Sequence, residues 1–164
     1  MLNTADVVIR LGLAAVAGAV LGWERSSKQK PAGLRTHMLV TIGAAAFILA
    51  GLEFEESQTQ RGTASNADFH KVIAGVIGGV GFLGAGAIMQ SGGSVRGLTT
   101  AATIWLSSAI GVACGLGYYV IAATTVILSL CVLLMLGFVE RVWLPDKDDG
   151  DAATTNPAKS EPPS

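Results

Sequence analysis

The chain has 164 residues, 51% of them hydrophobic and only 14% charged, with a mean hydropathy of +0.54 and a formal net charge of −1. Soluble domains carry about 25% charged residues, so this composition excludes an ordinary water-soluble domain. The near-zero net charge removes the basic excess that would argue for nucleic acid as a partner.

The charges are clustered, and the apolar stretches between them predict five membrane spans in chain order. The first runs from about Ala5 to Trp23, and it reads as a membrane helix in place of a cleaved secretory signal because its only early cation, Arg10, has Asp6 nearby. A cationic loop, WERSSKQKPAGLRTH, leads to a short second span from about His37 to Leu52. An acidic loop with Glu53, Glu55, Glu56 and Asp68 precedes the third, from about Val72 to Gln90. The fourth, from about Leu98 to Leu116, meets the fifth, from about Tyr119 to Val139, at the tight GLGYY turn. The fold class is therefore all-α, a polytopic membrane bundle over residues 1–143. Residues 144–164, rich in proline, charge and small polar side chains, read as a disordered cytoplasmic tail.

Lysine and arginine set the orientation. Arg25, Lys28, Lys30 and Arg35, then Arg96, then Arg141, Lys147 and Lys159 fall on one face, against Arg61 and Lys71 on the other. The richer face is cytoplasmic, which puts the N-terminus in the periplasm and the C-terminus in the cytoplasm.

The third span contains GVIGGVGFLGAGAIM, six glycines among nine apolar residues. Glycine in a helix costs about 1 kcal/mol against alanine, so the run needs a reason. Lipid tails are as apolar as leucine, and membrane helices associate through close backbone approach at small residues. Gly75, Gly79, Gly81, Gly84 and Gly86 are therefore predicted helix-packing positions, with Gly18 and Gly22 in the first span and Gly111 and Gly115 in the fourth. So dense a run can also kink or unwind over residues 78–86, which would expose backbone carbonyls, as an alternative to a compact helix bundle.

Unusual polar chemistry gathers at three span ends on the cationic face. GWERS holds Glu24 and Arg25, PAGLRTHMLV holds Arg35, Thr36 and His37, and SVRGLTTAATIW holds Arg96, Thr99, Thr100 and Thr103. They read either as anchors and caps, or as one shared cluster in which Glu24 pairs with an arginine and the other cations meet an anion or lipid headgroup. His37 and His70 have no nucleophile or carboxylate arranged with them in sequence, and no catalytic constellation, metal-ligand spacing or cofactor motif is present. Cys114 and Cys131 both sit in apolar runs, where a thiol behaves as a small hydrophobe.

These three motifs, in this order and spacing, make residues 10–140 resemble the MgtC/SapB family of bacterial inner-membrane proteins. The first family motif falls on Glu24, Arg25, Ala32, Gly33, Leu34, Arg35 and Thr36, the second on Gly81, Phe82, Leu83, Gly84, Ala85 and Gly86, and the third on Arg96, Gly97, Leu98, Thr100 and Ala101. The resemblance implies a link to growth under magnesium limitation and, in pathogens, to survival inside macrophages. It also implies a regulator of membrane energetics that restrains the F-type ATP synthase, not a magnesium pump. The chain departs from virulence-type members in two ways: Thr99 stands where they carry asparagine, and only about twenty residues follow Trp143, where they carry a soluble domain. It is expected to belong to the short, SapB-like branch.

Three functions are consistent with these features. The first is a non-enzymatic regulator embedded in the lipid bilayer, binding helices of the F-type ATP synthase, a small membrane peptide or a further copy of itself through surfaces such as Gly75 and Gly79. The second is a transporter or channel for Mg2+ or another small ion, although spans two to five have no acidic residue in their interiors, where a magnesium path would place one. The third is a purely structural or lipid-organising role.

Overall fold

The computed structural model describes residues 2–62, 66–91 and 94–143. Among them the chain forms five helices and one short hairpin: α1 (Thr4–Ser27), α2 (Leu34–Gln60), α3 (Asn66–Ala87), β1 (Met89–Ser91), β2 (Ser94–Arg96), α4 (Leu98–Leu116) and α5 (Tyr119–Trp143). Two compact units divide it, residues 1–131 and 132–164, the second beginning inside α5. The expected tail, 144–164, lies outside the described residues.

Local chemistry accounts for the helix ends. The Asn3 side chain accepts from the Ala5 amide at 3.2 Å and caps α1. α1 closes at a turn in which Gln29 takes φ 53°, and Pro31 then prevents the helix from continuing. α2 has Gly33 at its N-cap, with no side chain of its own to offer, and Ser26 Oγ of α1 accepts from the Leu34 amide at 2.7 Å instead. α4 ends in a left-handed Gly117 (φ 80°), with the Gly117 amide on the Cys114 carbonyl at 3.0 Å and the Tyr118 amide on that of Ala113 at 2.8 Å. That pair of bonds is a Schellman close.

The five helices follow the expected spans in order but not always in extent. α2 continues past the expected Leu52 to Gln60, because hydropathy marks the apolar part of a helix and Glu53, Glu55 and Glu56 can extend one into water. α3 stops at Ala87, short of the expected Gln90, and Met89 pairs with Arg96 and Gln90 with Val95 in an antiparallel hairpin. Gly97 makes this reversal feasible: its φ is 88°, and a Cβ there would collide with the Ala87 carbonyl oxygen. The segment 78–86 is not unwound: α3 is helical through the whole glycine run. The i→i−4 bonds of a helix need only permitted dihedrals, which glycine supplies.

α2 lies against both α1 and α4, α1 also touches α4, and α3 packs on α4 and α2. Four helices, α1 to α4, are long and apolar enough to cross a membrane, and α5 has an apolar stretch over Tyr119–Met135. Large apolar side chains cover the outside, among them Val16, Leu39, Phe47, Phe82, Trp105 and Val120, while Glu24, Arg25, His37, Thr41, Thr103 and Ser107 are buried. Polar inside and apolar outside is the arrangement of a chain solvated by lipid.

Candidate functional site

α2 is held between two pairs of glycines. A Cβ on Gly18 of α1 would lie 2.7 Å from the His37 carbonyl oxygen and 2.8 Å from Met38 Cα, and one on Gly22 would lie 2.6 Å from Leu34 Cα. On the other side a Cβ on Gly111 of α4 would come 2.8 Å from Ala44 Cβ, and one on Gly115 would come 2.9 Å from the Ala45 carbonyl oxygen. Real Cβ atoms do not approach so closely, so these four positions set the spacing of α1, α2 and α4. Thr41 lies at the level of both Gly18 and Gly111, and turns its hydroxyl back onto the His37 and Met38 carbonyls at 3.1 and 2.9 Å.

The glycines of α3 are placed otherwise. Gly84 would make ordinary contact with Ala101, at 3.6–4.0 Å, but a Cβ on Gly75, Gly79, Gly81 or Gly86 would meet nothing within 4 Å. Gly75 and Gly79 line an apolar groove of about 650 Å³ between α2 and α3, with Val40, Phe47, Val72 and Leu83 on its walls.

The polar site sits where α1 ends and α2 begins. Ala32, in the connecting turn, is buried with Val80 of α3 and Ile104 of α4, six residues into that helix. At 1.5 Å per residue the turn is therefore drawn roughly 9 Å along the bundle from the start of α4. That recess is why Glu24 and Arg25, at 7% and 4% exposure, are buried although they end a span. Lys28 Nζ lies 2.7 Å from Glu24 Oε1, and Arg25 Nη1 lies 3.8 Å from Oε2, charge contacts in which neither oxygen receives a well-directed hydrogen bond. Beside them His37, fully buried, places Nδ1 2.8 Å from Ser107 Oγ. Ser107 donates to the Thr103 carbonyl at 2.8 Å, and Thr103 donates to that of Thr100 at 2.9 Å.

Of the residues singled out in the three motifs, Glu24, Arg25 and Thr100 are buried, Thr36 is half-buried, and Arg35, Arg96 and Thr99 are exposed. The three motifs thus divide between an interior and a surface. Sequence reasoning left out Thr41 and Ser107 and took His37 for an anchor. A signal existed in part: Thr100, Thr103 and Ser107 follow at helical spacing and mark a polar stripe on α4. At the opposite end of the bundle Arg10 Nη1 donates to the Gly115 carbonyl at 2.7 Å, a cation at a helix C-terminus. Among the described residues no group of three or more His, Cys, Asp and Glu is placed to hold a metal ion. Cys114 and Cys131 are free thiols, the first buried and the second exposed.

Apolar helices around a buried polar junction define a multi-pass membrane protein of the helical-bundle class. Within that class the chain belongs to the MgtC family, whose model matches residues 11–142. Protein MgtC of Salmonella typhimurium is 43% identical over 129 residues, which is 79% of this chain and 52% of that protein. YhiD of Escherichia coli K12, by its name a candidate magnesium transporter, is 39% identical over 130 residues, 79% of this chain and 60% of YhiD. An uncharacterized protein of Synechocystis, slr0014, is 40% identical over 114 residues, 70% of this chain and 45% of that protein. The chain thus spans about half the length of the Salmonella relative. No solved structure matches it.

Proposed function

We propose that this chain is a non-enzymatic protein of the bacterial inner membrane, linked to magnesium limitation or to the regulation of membrane energetics, that acts by helix–helix contact with a membrane partner. The observation that carries this reading is the open glycine face of α3. In α1 and α4 the packing glycines each meet another helix, whereas Gly75 and Gly79 face a groove. Glycine facing lipid forgoes both helix propensity and side-chain packing, and a second backbone at close range restores the packing. A helix of the F-type ATP synthase, a small membrane peptide or another copy of this chain fits that requirement. In this reading the N-terminus is periplasmic and the C-terminus cytoplasmic, an orientation that the cation count supports. The link to magnesium rests on family membership and on the name of the YhiD relative.

The second reading, a Mg2+ transporter or channel, is favoured by that same name. The continuous helix through residues 78–86 speaks against it, since the carbonyls of residues 78–83 are engaged within the helix. Among the described residues the one acidic side chain buried in the bundle, Glu24, already faces two cations.

Gly79→Leu separates the two readings. A Cβ at position 79 would meet nothing within 4 Å and an open groove lies beside it, so leucine there should leave the chain free to fold. A strain lacking the gene and grown under magnesium limitation should be rescued by the wild type and at least about tenfold less well by G79L, as expected if ~1.4 kcal/mol of association is lost. Equal rescue would remove the open face from function. Saturable Mg2+ flux into proteoliposomes containing only this protein would replace the first reading with the second.

A further inference from the structure

We propose that His37 is a proton-binding site at the junction of α1, α2 and α4, taking its proton on Nε2. Ser107 has a single hydroxyl hydrogen, and that hydrogen is directed at the Thr103 carbonyl, 2.8 Å away. With that hydrogen on the carbonyl, we assign the 2.8 Å contact between Ser107 Oγ and His37 Nδ1 as donated by the ring. This puts the neutral imidazole's hydrogen on Nδ1 and leaves a lone pair on Nε2. Nε2 is buried and has no hydrogen-bond partner among the described residues. A buried acceptor without a donor is an unfavourable state that protonation ends.

The surroundings suit a proton better than a metal ion. From α1 the ring is faced by Arg25 and Glu24, both buried, with Lys28 reaching Glu24 from the edge. The turn contributes the Ala32 backbone. The hydroxyls of Thr41 on α2 and Ser107 on α4 are uncharged, and α3 turns only apolar residues toward α2 along the groove. Two cations and one carboxylate would repel a further metal ion. A proton needs only one acceptor, and the Ala32 carbonyl and the Glu24 carboxylate both lie on the side of the ring from which a charged imidazole can be met. Because the ring also ties α2 to α4 through Ser107, uptake of the proton changes the charge of a contact between those two helices. The site does not depend on the partner proposed above.

The chain has two histidines, and the other, His70, is exposed on α3. His70→Gln therefore gives a one-histidine protein without touching the junction. Nitrogen-15 NMR of this variant in lipid nanodiscs, from about pH 8 down to pH 5, follows the two ring nitrogens separately. Nδ1 should stay protonated throughout, and Nε2 should pass from bare acceptor to N–H within the range. Adding Glu24→Gln should lower the midpoint, because a charge that favours the proton is gone. Nε2 that is already protonated at pH 8, or still bare at pH 5, would overturn the proposal even if the Glu24 variant failed to fold. A midpoint unmoved by a folded Glu24→Gln variant would overturn the assigned surroundings.

Discussion

At the scale of single residues, glycine has two uses in this protein, and only its neighbours tell them apart. Gly111 sits where an added Cβ would press on Ala44 at 2.8 Å and on the Thr41 backbone, whereas Gly79 looks onto open space. Gly111→Leu should therefore lower stability by about 3 kcal/mol or more, as overpacking of a filled contact does. Gly79→Leu should leave it unchanged or raise it by up to ~1 kcal/mol through helix propensity. Unfolding of the two variants by SDS from mixed micelles checks the pair, and equal behaviour would mean that the glycine pairs do not set the helix spacing. The sequence showed that both positions carry a small residue on a membrane helix. It could not show which had a partner, because a spacing of four is the same in both.

At the scale of elements, the connections decide where the polar groups go. The α1–α2 turn is drawn into the bundle by Ala32, and it takes Glu24 and Arg25 out of water with it. Its pieces support one another: Ser26 caps α2, and a Cβ on Gly33 would collide with that Ser26 hydroxyl. The α3–α4 hairpin is the other decisive connection, and it turns on Gly97. Gly97→Ala combines a left-handed backbone with a Cβ aimed at the Ala87 carbonyl oxygen, and should cost about 1–3 kcal/mol in the same unfolding assay. A variant as stable as the wild type would mean that the hairpin is not tied to the end of α3. Sequence reading missed this hairpin because its strands are three residues each, too short for any alternation to register.

At the scale of the whole molecule, a protein dissolved in lipid has a reason to collect its polar groups inside. An exposed Phe82 is at home among acyl chains, and a buried Glu24 or His37 is tolerated only where other polar groups face it. The orientation proposed from the cation count is open to test. Reporter fusions that are active on one side of the membrane should place the C-terminus and the α1–α2 turn in the cytoplasm, and the α2–α3 connection in the periplasm. A periplasmic α1–α2 turn would invert the topology and put the His37 junction on the opposite side.

By itself the sequence determined the class, the number of helices, their order and the family. Those follow from composition along the chain and from motifs that are local in it: a long run without charge cannot remain in water, and E-R, A-G-L-R-T and R-G-L are legible wherever they fold. Only the tertiary structure decided which glycines meet a neighbour, that residues 78–86 stay helical, and that Glu24, Arg25 and His37 go inside while Arg35 and Arg96 stay out. His37 and Ser107 are 70 residues apart, and the bond between them exists because Gly18 and Gly111 let two helices close on a third. Contact between distant segments depends on the space that other side chains leave, and no local pattern records that space.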